Sequence, residues 1–318
     1  MPTVRALVIT EFGAPPELGQ VETASAQDGQ AVLRLLAGGL NPVDLAIGSG
    51  RFYMKLPQPP FVAGGEAVAE VVSSSRFPAG TRVWALQQTG SFAEVFTCAD
   101  AALVEVPDGV APSVAVAMGI AGLAGWMAVR NRGELRAGET VLVLGASGAV
   151  GQVAIQAARL GGAGRIVAAM RNPDGEERAR SLGAHAVVTL GSGDDTSALQ
   201  AACLPGATLV IDTLWGAPIV AALPALAPRA RIVQVGGGAG PIVEFPAGPL
   251  RGGRIDIRGF SVFNERQADL AESFQELAAA AGREEVVVPT EEVALADGPS
   301  AWARQAAGTG GVKLVLVP

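Results

Sequence analysis

Val141-Leu142-Val143-Leu144-Gly145-Ala146-Ser147-Gly148-Ala149-Val150-Gly151 is the stretch that decides the fold. Four apolar residues make a strand-length run, the glycines break it, and the apolar spacing then changes to that of an amphipathic helix reaching Leu160. A strand, a tight glycine turn and a helix in that order form a cradle for a pyrophosphate. Gly145 and Gly148 allow the turn and a close backbone approach, and Gly151 lets the helix pack on the strand. The unpaired N–H groups and the dipole of the helix N-terminus favour the phosphate charge. The spacing departs from G-x-G-x-x-G, because Ala146 stands where the first glycine would be.

Outward from this stretch, strands and helices alternate. Strands are expected at Thr140–Leu144, Arg165–Met170, Ala186–Thr189, Thr208–Asp212, Ala230–Val235 and Ile255–Phe260. Helices are expected at Val150–Leu160, Glu176–Leu182, a short segment ending near Cys203, and Ala217–Leu226. That rhythm implies a parallel sheet covered on both faces, a doubly wound α/β domain. Before it, short apolar runs at Val4–Ile9, Ala31–Leu36, Val68–Val72, Arg82–Ala85, Phe92–Phe96 and Leu103–Val106, separated by Pro and Gly, read as a small β-barrel-like domain. A helical stretch over 113–130 joins the two. A long helix at Glu265–Ala281, a strand at Val286–Val288, a helix at Ala301–Ala306 and a strand at Val312–Val317 return the chain to the first domain. The expected division is 1–115 with 264–318, and 116–263 between them.

Composition narrows the function. Lys and Arg number 23 against 30 Asp and Glu, a net charge of −7, which argues against a nucleic-acid partner. Charges, Gly and Pro interrupt the apolar runs, so no membrane span is expected, and the N-terminal residues from Met1 show no leader pattern; a soluble, cytoplasmic protein is the expectation. Abundant Ala, Gly and Arg, with Lys55 and Lys313 the only lysines, suggest a bacterial source. Cys98, Cys203 and the single histidine, His185, cannot easily supply the donor set of a catalytic or structural zinc, so no metal is expected.

The cofactor choice turns on the end of the second strand of the alternating half. An NAD site places a carboxylate about 20 residues beyond the glycines, to hold the ribose 2′-hydroxyl. Met170, Arg171 and Asn172 stand there instead, and the Arg171 guanidinium suits a 2′-phosphate, so NADPH is expected. The expected cofactor residues are Gly145, Ala146, Ser147, Gly148, Ala149, Val150 and Gly151, then Met170, Arg171 and Asn172, and, on the next strand ends, Asp212, Leu214, Val235, Gly236 and Gly237.

Several further segments carry a family resemblance. These are Gly39-Leu40-Asn41-Pro42-Val43-Asp44, Gly50-Arg51-Phe52-Tyr53, Gly64-Gly65-Glu66-Ala67, Gly80-Thr81-Arg82-Val83, Ser91-Phe92-Ala93-Glu94, Gly122-Leu123-Ala124-Gly125-Trp126 and Asp212-Thr213-Leu214-Trp215-Gly216. Together they resemble the medium-chain dehydrogenase/reductases, in the zinc-free quinone oxidoreductase branch. The resemblance implies a GroES-like β-barrel catalytic domain plus a Rossmann domain, a homodimer, and hydride transfer from NADPH to a quinone, with the nicotinamide in the interdomain cleft. Reduction of an enone or enoyl double bond, and a non-catalytic NADPH-binding role, are the alternatives. Asn41 and Gly65 stand where zinc-dependent relatives carry Cys and His ligands.

Without a Lewis acid, a carbonyl must be polarised by hydrogen bonds. Asn41 is the first candidate, its alternative being an Asn-Pro turn residue. Tyr53, the only tyrosine, is either a donor to the substrate or an aromatic of the wall. Phe52 and Phe263 join Asn41 and Tyr53 as expected substrate contacts. Asp44 is expected to orient local backbone rather than act as a base.

Overall fold

The computed structural model describes residues 3–23 and 26–318. Met1 and Pro2, part of the segment read above for a leader, lie outside the described residues. The chain forms two compact units. One runs from the N-terminus to Ala121 and resumes at Arg266–Pro318; the other is Gly122–Glu265.

In the first unit, β1 (Thr3–Ile9), β2 (Glu17–Glu22) and β3 (Gln30–Gly39) lead to a short helix, α1 (Pro42–Gly48), and then β4 (Phe61–Val62), β5 (Glu66–Ser73), β6 (Arg82–Leu86), β7 (Val95–Ala99) and β8 (Leu103–Glu105). β1 pairs antiparallel with β2 and β4, while β3 pairs with β5 and β7, and β6 bridges β5 and β8. Leu7, Leu33, Leu35, Ala69, Val83 and Phe92 fill the space between these strands and are fully buried or nearly so. The strand expected at Phe92–Phe96 lies three residues later. Residues 92–94 instead bond to β1, with Leu7 N–H donating to Phe92 O and Glu94 N–H to Arg5 O, and the chain turns to β3 at Glu94, whose carbonyl accepts from Leu35 N–H, before β7 pairs with it from Val95.

α2 (Pro112–Ala117) opens on a proline at its first turn, where the missing N–H costs nothing. The helical path then breaks at Gly119 (φ −67°, ψ −123°) within a π-helical turn, Met118–Gly122. It resumes as α3 (Leu123–Met127). Against expectation, this 21-residue segment, Pro112–Arg132, has the length and mean hydropathy (1.6) of a membrane span. Its most apolar 18-residue window is 83% buried inside the protein, as a core helix would be.

The second unit continues with β9 (Thr140–Leu144), α4 (Ala149–Leu160), β10 (Arg165–Met170), α5 (Glu176–Leu182), β11 (Ala186–Thr189), α6 (Asp195–Cys203), β12 (Ala207–Asp212), α7 (Gly216–Ala222), β13 (Leu226–Gln234), α8 (Ala247–Gly253) and β14 (Asp256–Gly259). Among the described residues the strands lie parallel in the order β11-β10-β9-β12-β13-β14. The order reverses between β9 and β12. At such a switch point, ligands bind beyond the carboxyl ends of the strands. Every residue of β9 is buried, as a strand covered on both faces requires. α5 ends at Gly183, whose φ of +119° a side chain would resist.

The chain returns to the first unit through α9 (Gln267–Gly282), where Phe274 stacks on Trp84 with ring centroids 4.8 Å apart. β15 (Thr290–Ala294), α10 (Gly298–Ala307) and β16 (Lys313–Val317) follow. The strand expected at Val286–Val288 is irregular. Pro289 has no N–H for a ladder, and pairing with β16 begins only at Thr290.

Candidate functional site

The carboxyl edge of the parallel sheet is built around Gly145. Its φ of +85° turns the chain out of β9, and a β-carbon there would run into the Thr213 side chain. Gly145 and Ala146 N–H both donate to Ala169 O, at 2.9 and 3.1 Å, which fixes the turn against β10. Gly148 caps α4 in extended conformation and is exposed, with only Gly145 O within 4 Å of where a β-carbon would be. That bare surface is open to a phosphate. A β-carbon on Gly151 would lie 2.6 Å from Ala146 Cα, so only glycine lets α4 seat on the turn. The first helical bond, Gln152 N–H to Gly148 O, leaves the N–H groups of Ala149, Val150 and Gly151 for a ligand.

Around the turn, Met170 is buried at the end of β10, while Arg171 and Asn172 are exposed. The Asn172 side chain accepts from Asp174 N–H at 3.0 Å and shapes the loop. Arg171 has no ion-pair or hydrogen-bond partner among the described residues, so its guanidinium is available. Leu214 packs beside Gly145. Gly236 lies so close to Thr213 that a β-carbon would sit 2.9 Å from its carbonyl oxygen. Gly237 is exposed.

Asp212 is fully buried, and its role is to tie these turns together. One carboxylate oxygen accepts from Leu214 and Trp215 N–H, both at 2.9 Å, while its backbone carbonyl accepts from Val235 and Gly236 N–H. The other carboxylate oxygen has no partner among the described residues. Burial pushes this carboxyl up to about 6, against the pull of the two backbone hydrogen bonds.

In the other unit, a buried polar cluster surrounds Asn41, which caps α1. Asn41 Nδ2 donates to Gly39 O and to Glu66 Oε1, both at 2.8 Å, and Asn41 Oδ1 accepts from the Lys313 ammonium. Glu66 Oε1 also accepts from Lys313 Nζ at 3.2 Å. Its Oε2 accepts from Trp84 Nε1 at 3.0 Å and from Ile120 N–H at 2.6 Å, just past the break at Gly119. Asp44 accepts from Asn41 N–H at 2.7 Å and Gly65 N–H at 2.8 Å, joining α1 to the start of β5, which is the backbone-orienting role expected of it. Burial, helped by the Glu66 charge, raises the Asp44 carboxyl to about 7, although its hydrogen bonds and Lys313 pull the other way.

The expected substrate residues stand in different local settings. Asn41 is 2% exposed with both amide N–H groups engaged, whereas Tyr53 is 64% exposed on an irregular loop, with its ring centroid 4.5 Å from that of Phe52. Phe263 sits half-buried in a short 3₁₀ turn of the other unit. Sequence reasoning gave no role to Glu66 or Lys313. The available signal was a lysine opening the apolar run Lys313-Leu314-Val315-Leu316-Val317 in a chain with one other lysine, Lys55.

Residues 27–108 match the family described as alcohol dehydrogenase GroES-like domain, and residues 149–280 match the one described as zinc-binding dehydrogenase. A quinone oxidoreductase from Sus scrofa is 31% identical over 86% of this chain and 84% of its own length. One from Pongo abelii is 32% identical over 58% of each, so the chain spans little more than half of that relative in the match. The crystal structure of the quinone oxidoreductase from Thermus thermophilus, solved also with NADPH, superposes with a TM-score of 0.84 at 29% identity, covering 99% of this chain and 100% of that one. A Rossmann domain and a GroES-like domain in one chain define the medium-chain dehydrogenase/reductase class. Within it, the chain belongs to the quinone oxidoreductase-like family.

The name of the second matching family raises the question of zinc, and the donors present do not fit it. Among the described residues no three His, Cys, Asp or Glu side chains form a metal-binding group. The two cysteines lie in different units, and burial pushes their thiols up to about 12 and about 11, away from the thiolate that zinc requires. An ammonium already sits against Glu66 and Asn41.

Proposed function

We propose that this protein is an NADPH-dependent, zinc-independent reductase that delivers hydride to quinones or related activated carbonyl acceptors. The observation that carries the cofactor choice is Arg171, an exposed, unpaired guanidinium one residue beyond β10, beside the glycine turn and with no carboxylate at its strand end. The acceptor class rests on membership of the quinone oxidoreductase-like family.

NADPH, when bound, supplies the hydride. The N–H groups at the start of α4 would hold its pyrophosphate, and Arg171 would pair with its 2′-phosphate. Met170 and Leu214 flank the turn, and the backbone of Val235, Gly236 and Gly237 continues the binding edge beyond β13. Asn41, with both N–H groups committed, offers a ligand only the remaining lone pair of Oδ1, an acceptor rather than a donor. The exposed Tyr53 phenol is a group in that unit able to donate a proton or hydrogen bond to a reduced acceptor, with Phe52 beside it as a flat apolar contact.

The test is NADPH oxidation against ortho-quinones, para-quinones and enones. Turnover on quinones supports the reading. Turnover confined to enones moves the activity to double-bond reduction, and NADPH binding without turnover on any acceptor contradicts catalysis on these classes.

A further inference from the structure

The Asn41–Glu66–Lys313 cluster has an internal logic. An ammonium can only donate, so the Asn41 atom facing Lys313 Nζ must be the amide oxygen. The Gly39 carbonyl and the Glu66 carboxylate can only accept, so the atom facing them must be the amide nitrogen. The amide therefore has one permitted sense, which the Lys313 ammonium sets at the oxygen end and Gly39 O and Glu66 at the nitrogen end. Lys313 is 4% exposed and Glu66 is fully buried, so each is the counter-charge that makes the other tolerable. Glu66 in turn reaches the helix break, where its Oε2 receives the Ile120 N–H. No β-carbon fits at Gly119 because this carboxylate occupies the space.

We propose that Lys313 is a positioning residue for the reductase. Its ammonium, set between Asn41 Oδ1 and Glu66 Oε1, fixes the Asn41 amide and the Glu66 carboxylate and so gives α1 and the Gly119 break a single arrangement. This rests on the reading of the protein as a reductase. A positive charge supplied by the chain itself stands where the donor set does not suit zinc.

A brace that served stability alone would be replaceable by neutral groups of similar size, whereas removing one partner strands the other charge. The experiment therefore compares Lys313→Met, Lys313→Arg and the double variant Glu66→Gln/Lys313→Met. It measures melting temperature, NADPH-dependent quinone turnover, and amide hydrogen exchange of the segments 39–48 and 116–122. Lys313→Met is expected to lose both stability and turnover. The double variant is expected to regain most of the melting temperature while kcat stays down by about tenfold or more, the scale that a misplaced site costs. Exchange in both segments is expected to stay faster than in the native chain, because the ammonium that tied the Asn41 amide to the side chain at position 66 is gone. Lys313→Arg, which keeps the charge, is expected to restore part of kcat.

Recovery of turnover together with stability in the double variant would overturn the proposal. So would unchanged exchange in the two segments. If the native protein reduces no quinone, the functional reading fails on its own, and the exchange data still decide whether Lys313 fixes these segments.

Discussion

At Arg171 the proposed choice between two cofactors rests on one side chain. An unpaired guanidinium that meets a 2′-phosphate forms charge-assisted hydrogen bonds worth about 1.5–3 kcal/mol, or roughly tenfold and upward in affinity. Arg171→Ala should therefore raise the KM for NADPH by about tenfold or more and leave that for NADH within about twofold. An equal rise for both would show that Arg171 only shapes the loop. Asp212 gives a second test at this scale. Its carboxyl titrates near 6 in the folded chain, above the roughly 3.9 of an unfolded aspartate. The folded state thus binds that proton more tightly, and the associated stability is complete at about pH 4 and lost as pH rises through about 6. Asp44, near 7, acts in the same direction over a wider range. Asp212→Asn removes one of these titrations, so its melting temperature relative to the native chain should rise between pH 4 and pH 8. A constant offset across that range would contradict the assignment. Residues of this kind were unequally legible. Arg171 stood out because the strand end lacked an acid. Glu66 and Lys313 lie far apart in sequence, and only β5 and β16 reaching opposite sides of β3 brings them together.

The strand–turn–helix of β9 and α4 is the element on which the proposed cofactor binding depends. Gly151→Ala would place a methyl group against Ala146 Cα, with no flexible side chain able to yield, so the helix must shift off the turn. Loss of detectable NADPH binding by titration calorimetry, with a lowered melting temperature, is the expected result. Retained affinity would mean that the cradle tolerates a displaced α4. This element was readable because β9, β10, α5 and β11 are continuous patterns ended by glycine or a turn, and their observed limits match those expected. The short elements were not. α1 is a seven-residue helix whose signal was absorbed by the Asn41-Pro42 turn, and β7 is displaced because Phe92 to Glu94 answer to β1 before the chain reaches β3. β15 lies beyond Pro289, where only the partner strand β16 shows that pairing begins. Local pattern thus located elements with their own hydrophobic period, and missed those defined by a distant neighbour.

For the molecule as a whole, the two matching families, the parallel sheet and the GroES-like unit agree with the architecture expected from the alternating pattern. The hydropathy of Pro112–Arg132 was the exception. Its apolar character serves burial within the protein, which composition alone could not distinguish from a span. The donor inventory makes a further claim at this scale. Treatment with a strong chelator should leave both melting temperature and quinone turnover unchanged, and dialysis against zinc should leave none bound in stoichiometric amount. Loss of activity restored by zinc would contradict the zinc-independent reading. The central claim is tested most directly by the rate of quinone reduction with NADPH and with NADH, measured side by side on the native protein. Turnover with kcat/KM at least about tenfold higher for NADPH is the predicted result, the ratio expected of a guanidinium–phosphate pair. Equal rates with the two cofactors, or no reduction of any quinone, would contradict it.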